Sequence, residues 1–364
     1  MVSAGPAGGV AGGGAPRAGV RITGMGHAVP AGYDQRTVWE AYFAGHYADV
    51  PAAERIFAAA GVRTRHAVAN PVYEDVSRWG TAARMRRYLA EAMPLGKDAV
   101  AAALTDAGVD AADVGLFAVA SCTGYVTPGI DIRLARDLGM AADVQRLLVG
   151  HMGCYAAIPG LGAISDFATA RGRPAVLLCL ELPSLHLQPP TDEVDQVVAH
   201  ALFADAAAAL VVQPQAASAG YEVLDVVART DVTTAEYMTW DVTDAGFRMG
   251  LSPRVPAVLA RHVRGVVHGM LDRNGVAPSD VDGWAVHPGG RRILEVVGRR
   301  LGLSGEALDA SYGVLRDYGN CSSATVLLVL ARLRSAAAVR AGRHAVAMAF
   351  GPGLTLYAAL LRAT

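Results

Sequence analysis

Two stretches of the chain echo each other at a fixed distance, and this repetition constrains the fold more than any other feature. Leu104-Thr-Asp-Ala-Gly108-Val109-Asp-Ala-Ala-Asp113-Val114, running on to Ala118-Val119, is matched by Leu271-Asp-Arg-Asn-Gly275-Val276-Ala-Pro-Ser-Asp280-Val281, running on to Ala285-Val286. Positions 271 and 104 differ by 167, and so do 286 and 119. Gly153-Cys154 and Asn320-Cys321 keep the same spacing, and Gly172-Arg-Pro-Ala-Val176 answers Gly342-Arg-His-Ala-Val346 at an offset of 170. Each long copy reads as an amphipathic helix, a glycine stop, a short loop and an apolar strand. The chain is therefore expected to fold as two similar α/β halves, 20–215 and 220–364. A Gly/Ala/Pro-rich tail, 1–19, precedes them and reads as disordered.

Strands are expected at Gly115–Ser121, Ala175–Glu181, Ala207–Val212, Val281–Val286, Ala345–Phe350 and Leu354–Leu360. Most are continuous apolar runs, as in sheets covered on both faces. The uncharged stretches opening at Cys154 and Cys321 read as helices, and a helix apolar all round is normally buried, here between two sheets.

With 52% hydrophobic and 18% charged residues, there is enough apolar side chain for a sizeable core. A net charge of -1 lacks the electrostatic footprint of a nucleic-acid binder. Four cysteines in 364 residues, none in a C-x-x-C pair, give neither a disulfide scaffold nor a structural zinc site. The uncharged run from Leu147 to Ser165 contains His151, Pro159 and several glycines, which fits a buried segment better than a membrane span. No secretory leader pattern is read, so a cytoplasmic location is expected.

Three residues sit where chemistry is expected. Cys154, in Gly150-His-Met-Gly-Cys154, stands where a helix should begin. Unpaired amides and the helix dipole there favour a thiolate, although most buried cysteines are inert hydrophobes. His287, in Trp284-Ala-Val-His287-Pro-Gly-Gly290, ends an apolar strand at the edge where α/β sites gather. Asn320, in Tyr318-Gly-Asn320-Cys-Ser-Ser323, precedes the second uncharged helix. It reads either as a helix cap or as an N–H donor to a developing oxyanion.

Gly153-Cys154, His287-Pro-Gly-Gly290, Tyr318-Gly-Asn320-x-Ser-Ser323 and Phe350-Gly-Pro-Gly-Leu-Thr355, in this order, resemble bacterial type III polyketide synthases, the chalcone synthase-like branch of the thiolase superfamily. Thr123-Gly124 with Pro128-Gly129, Ala201-Leu-Phe203-x-Asp205 and Trp240-Asp-Val-x-Asp-x-Gly-Phe247 extend the resemblance to about residues 20–364. It implies a five-layer αβαβα thiolase-like fold and an acyltransferase that condenses malonyl-CoA repeatedly onto an acyl-CoA starter, then cyclises the chain to a pyrone or resorcinol-type product. It implies that Cys154 holds the acyl chain, that His287 pairs with its thiolate as imidazolium, and that Asn320 with His287 stabilises the enolate left by decarboxylation. Phe203 would be an aromatic gate and Phe247 a cavity wall. Cys122, Thr127, His186 and Gly353 would also meet substrate, and Arg55 and Arg63, beside Arg65, would meet CoA phosphates. CoA thioesters are substrates, and no metal or other cofactor is implied. A homodimer is expected.

Some residues depart from the family's pattern. Pro159 could kink the helix behind Cys154. Cys122 stands where some relatives that make naphthalenes also carry Cys, and Pro183 and His186 reshape the cavity. The runner-up is a ketoacyl synthase III-like enzyme making one condensation. A biosynthetic thiolase lacks support, because no cysteine lies in the Gly351-Pro-Gly353 turn. A catalytically dead scaffold would not need Cys154, His287 and Asn320 together.

Overall fold

The computed structural model describes residues 19–214 and 219–364. The expected disordered tail, 1–19, lies outside the described residues except for Gly19. Nine strands join in one sheet: β1 Val20–Ala28, β2 Leu116–Ser121, β3 Gln145–Gly150, β4 Ala175–Glu181, β5 Ala206–Pro214, β6 Tyr221–Thr230, β7 Val281–Val286, β8 His344–Gly351 and β9 Thr355–Ala363. Their order is β7-β8-β9-β6-β1-β5-β4-β2-β3.

The repeat in the sequence is also a repeat in the architecture. The set β2-β4-β5-β1 pairs parallel, antiparallel, antiparallel, and β7-β8-β9-β6 pairs in the same succession. The two sets meet edge to edge through only two residue pairs, Arg21–Glu222 and Ile22–Tyr221. The first set carries an extra strand, β3, parallel to β2 on the outer edge. All six expected strands are present, with small shifts at their ends, while β1, β3 and β6 are additions.

Six helices complete the layers: α1 Thr81–Ala107, α2 Ala157–Arg171, α3 Val194–Leu202, α4 Val255–Arg273, α5 Arg291–Leu301 and α6 Ala324–Ser335. The central pair, α2 and α6, each touch strands of both sets. Outside the first set, α1 covers β1, β4 and β5; outside the second, α4 covers β6 and β9 and packs against α5. The result is the expected five-layer αβαβα arrangement.

Burial follows from these layers. Every residue of β2 and β4 is buried, because helices cover both faces of the sheet. Ile158, Leu161, Val326 and Leu330 fill the central cluster. Tyr88, Val100 and Phe117 lie in one outer cluster, and Val263, Leu294 and Val346 in the other. Each such side chain contributes about 1.5–3 kcal/mol of transfer free energy.

Two local expectations change. The chain around Cys154 forms a 3₁₀ turn, Gly153–Tyr155, before α2 begins at Ala157. Pro159 therefore falls in the first helical turn, where an amide has no helical acceptor to lose, and the Gly160 N–H still reaches the Ala156 carbonyl at 3.0 Å. The run from Leu147 to Ser165, read as buried throughout, begins instead on β3, an exposed edge strand whose Leu148 is 56% accessible.

Candidate active site

Each central helix opens at a tight turn, and the two turns meet. Gly153 has φ +72°, and a Cβ there would lie 2.9 Å from the Pro352 ring, so only glycine lets the chain pass into Cys154. A Cβ on Gly351 would lie 2.9 Å from the Tyr155 ring and 3.4 Å from the Cys154 nitrogen. The Gly351-Pro352-Gly353 turn thus backs the cysteine turn directly. Gly353, expected to meet substrate, has φ +126° and lies outside the cavity linings.

The opposing turn carries Asn320. Its N–H donates to the Leu202 carbonyl at 2.8 Å, and its carbonyl accepts from the Ala204 N–H at 3.0 Å, so its backbone clasps the chain on either side of Phe203. Gly319, at φ +80°, permits this approach: a Cβ there would lie 3.0 Å from the Leu202 carbonyl oxygen and 2.9 Å from the Ala204 Cβ. The Asn320 Oδ1 accepts from the Ser322 N–H at 2.9 Å and from the Thr325 hydroxyl at 3.5 Å. With Oδ1 occupied, Nδ2 is the donor left for the cavity.

His287 ends β7, its N–H bonded to the Met348 carbonyl at 2.8 Å. Phe350 stands edge-on to its ring at 5.7 Å. Both ring nitrogens are buried without a hydrogen-bond partner, which is costly unless something else occupies the space in front of them. Burial pushes the imidazole down to about 3. It pushes the Cys154 thiol up to about 12, with the Ser322 hydroxyl pulling down and Glu181 pushing up. Burial thus disfavours the charged form of each group taken by itself.

Cys154, His287, Asn320, Phe203 and Phe350 line one cavity of about 660 Å³. Phe203, with Ala199 and Met249, also borders a second, smaller space of about 60 Å³ walled by His186, Trp240 and Phe247. Phe203 thus stands as a partition between the two. Cys122 lines neither cavity. It is buried, with its Sγ 3.5 Å from the Ser322 hydroxyl and 3.5 Å from both Glu181 oxygens. Burial and the Glu181 charge hold its thiol well above the usual range, so it is poorly disposed to act as a second nucleophile. Thr127 is exposed on the loop after β2 and lies outside both cavities.

The arginines expected to meet CoA phosphates lie outside the lining of the large cavity. Arg63 pairs with Asp317 at 3.1 Å, and neither Arg63 nor Arg55 lines the large cavity, although Ile56, Ala59 and Ala60 beside Arg55 do. Arg65 is buried and donates to Gln35 and to the His200 carbonyl. The cations lining the large cavity are Arg291 and Arg292, which the sequence reading passed over although they directly follow His287-Pro-Gly-Gly290. Phe350 and Trp240, both quoted in motifs but given no role, are the other additions. Among the described residues, no group of three or more His, Cys, Asp or Glu could hold a metal ion, and no helix is long and apolar enough to cross a membrane.

Comparison with known proteins adds to this geometry. Residues 15–216 match the family model for the N-terminal domain of chalcone and stilbene synthases, and residues 226–364 match that for the C-terminal domain. The chain is 37% identical over 324 residues to a 1,3,6,8-tetrahydroxynaphthalene synthase of Streptomyces peucetius subsp. caesius, covering 86% of this chain and 84% of that protein. It is 33% identical over 314 residues to an alpha-pyrone synthesis polyketide synthase-like protein of Mycobacterium tuberculosis, covering 83% and 80%. Among solved structures, the 1,3,6,8-tetrahydroxynaphthalene synthase of Streptomyces coelicolor superposes with a TM-score of 0.89 at 28% identity, over 94% of this chain and 99% of that one. A polyketide synthase of the brown alga Ectocarpus siliculosus gives 0.88 at 29% identity, over 95% and 98%.

Proposed function

This chain belongs to the chalcone and stilbene synthase family, the type III polyketide synthases, and from that premise we propose how its residues divide the work. It is an acyltransferase that condenses malonyl-CoA units, with loss of CO2, onto an acyl-CoA starter and cyclises the product. The similarity runs to iterative enzymes and does not favour the single-condensation alternative.

In the reading we propose, the Cys154 thiol gives its proton to the neutral His287 ring as it attacks the starter thioester, and CoA leaves. Malonyl-CoA then enters; as its C–C bond breaks to release CO2, negative charge gathers on the thioester oxygen. An N–H of His287 and the Asn320 Nδ2–H receive that charge, which needs no metal because preorganised donors in a dry site suffice. The enolate carbon attacks the Cys154 thioester, the thiolate departs, and the lengthened chain returns to Cys154 for the next round. Phe203 meters passage between the two cavities. Segments 20–215 and 220–364 act as halves that supply the nucleophile and the donors respectively. The exposed edge strand β3, with Leu147 and Leu148 bare, supports a homodimer. Dependence on CoA esters supports the cytoplasm as its place, with no cofactor beyond them. A short pyrone or resorcinol-type product is the finer reading.

The observation that carries the site assignment is the single cavity lined by Cys154, His287 and Asn320, with both His287 ring nitrogens unpartnered. The test is a pair of variants. C154A should form no polyketide while still releasing CO2 from malonyl-CoA, and N320A should lose CO2 release at least tenfold more than starter loading. Polyketide from C154A, or equal losses in N320A, would contradict the roles.

A further inference from the structure

We propose that the small space behind Phe203 is a carboxylate site, built on Arg65 and Asn70, that receives the far end of a short dicarboxylic acyl starter. The inference rests on the polyketide synthase reading above and names the class of starter. Among the described residues lining that space, Arg65 is the only Asp, Glu, Lys or Arg. It is 8% accessible, and no carboxylate among the described residues pairs with it. Burial lowers the guanidinium to about 10, so it stays charged at neutral pH. The acid that acts on it is Asp205, whose oxygens are taken by the Val68 N–H at 2.8 Å, the Ser184 N–H at 2.8 Å and the Ser184 hydroxyl at 2.5 Å. A buried cation without a paired anion is costly, so its place in a cavity wall calls for an anionic guest.

The polar atoms left over in this wall are donors. The Arg65 Nε–H donates to the Gln35 Oε1 at 2.8 Å and its Nη2 to the His200 carbonyl at 2.7 Å. Among the described residues its Nη1 has no partner. The Gln35 Nε2 donates in turn to the Ala201 carbonyl at 2.9 Å, and the guanidinium carbon lies 5.8 Å from the Phe43 ring centre and 6.0 Å from that of Phe57. The fork is therefore held in place before any guest arrives. The Asn70 Oδ1 accepts from the Val72 N–H at 3.0 Å, which leaves Nδ2 facing no acceptor among the described residues. Both nitrogens of His186 are occupied, by the Thr123 carbonyl and the Phe247 N–H. Those of His200 are occupied by the Tyr47 hydroxyl and the Gln188 N–H. A charged nitrogen fork and an amide N–H match a group that only accepts, which is an ionised carboxylate.

The position of the space says which carboxylate. Phe203 borders it on one side and the cavity of Cys154 on the other, so an acyl group on Cys154 that passes Phe203 ends against Arg65 and Asn70. A volume of about 60 Å³ is room for a few waters. That holds a carboxylate and excludes a long alkyl tail. A wall of buried donors also rejects an apolar tip of the same shape, because the donors would then stay unpaired.

Intact-protein mass spectrometry of the full chain, given one acyl-CoA at a time without malonyl-CoA, reads the rate of starter loading. Each dicarboxylic ester is set against an isostere whose two terminal methyls replace the carboxylate oxygens: succinyl-CoA against isocaproyl-CoA, and glutaryl-CoA against isoheptanoyl-CoA. In at least one pair the carboxylate ester is expected to load about tenfold faster or more. R65M should abolish that preference while the branched ester loads as fast as before or faster; a mere packing defect would slow both. N70A keeps the buried charge and should lower the preference by a smaller factor, and it decides the matter if R65M fails to fold. Equal loading within both pairs by the unsubstituted protein overturns the site. So does a preference that neither variant lowers. If no ester, acetyl-CoA included, loads Cys154, the synthase reading fails and this inference fails with it.

Discussion

His186 is fixed from three sides. Its Nε2–H donates to the Thr123 carbonyl at 2.7 Å, its Nδ1 accepts the Phe247 N–H at 2.9 Å, and its ring stacks on Phe247 with centroids 4.5 Å apart. An imidazolium could not accept from Phe247, and burial holds the ring neutral by pushing its pKa down to about 4. Trp240 closes the same wall, its Nε1–H bonded to the Cys122 carbonyl at 2.7 Å. The space they bound behind Phe203 is about 60 Å³, room for a few waters, so a chain growing into it meets the wall after few extensions. Trp240→Ala should therefore shift products towards longer polyketides. The stability cost should stay below the ~3–5 kcal/mol of a full core truncation, because Trp240 is only half-buried. Mass spectrometry of products from a fixed starter would show added ketide units, and an unchanged mass distribution would mean that another surface sets chain length. At this scale Cys154, His287 and Asn320 were legible because each sits at a turn whose chemistry is local: glycine before, proline-glycine after, or a helix start. Arg291 and Arg292 were not, because a surface charge carries no local mark of the cavity beside it. Trp240 was quoted in a motif, but it acts through a bond to a residue far away in sequence, so its role was equally hidden.

Among the elements, β3 breaks the symmetry. The second half has no counterpart to it, so it adds an open edge to the first half. Its first four residues are exposed, and its Leu147 and Leu148, together with Tyr125 on the adjoining loop, leave apolar surface bare. An open apolar edge is a template for pairing, and natural proteins seldom leave one uncovered. A second copy of the same strand would satisfy both its backbone groups and its leucines in an isologous contact. In the proposed homodimer, Leu148→Glu should shift the equilibrium towards monomer in sedimentation velocity. Because β3 leads through His151 and Met152 into the Cys154 turn, activity should fall as the dimer dissociates. A dimer that persists in the variant would rule this edge out. The sequence repeat made the shared strand order of the two halves legible, since each copy carries its own helix, stop and strand. It could not reveal β3, whose exposed leucines look like any buried apolar run, nor β1 and β6, whose alternation is blurred by glycines and charges such as Gly24, Gly26 and Asp225.

Burial disfavours the charged form of His186, His200 and His287, and acid should expose that. His186 lies at about 4, His287 at about 3 and His200 well below the usual value, all because burial penalises the cation. In the unfolded chain each would titrate near 6.5. As pH falls below 6.5, the unfolded state takes up protons that the folded state refuses, so these groups lose their stabilising contribution between about 6.5 and their folded values. Two buried carboxyls act in the opposite sense. Asp205 is raised to about 6, chiefly by burial, and Glu181 is raised for the same reason. Both bind protons more readily folded than unfolded, so they favour the fold as pH drops towards about 4. Three histidines outweigh two carboxyls across this window, and His27 and His46, also lowered by burial, add to the same side. Below about 3.8 the ion-paired Asp282 and Asp317, both held near 2 by arginine partners, join the histidines. Stability should therefore climb from pH 4 to about 6.5 and then level off. Urea unfolding at a series of pH values measures the slope. H287Q should reduce it between pH 5 and 6 by nearly one proton, about 1.4 kcal/mol per pH unit, because that ring has no bond in the fold to lose. An unaltered slope in H287Q would mean that the ring is charged in the folded state, and that the neutral pair on which the proposed proton transfer depends does not exist.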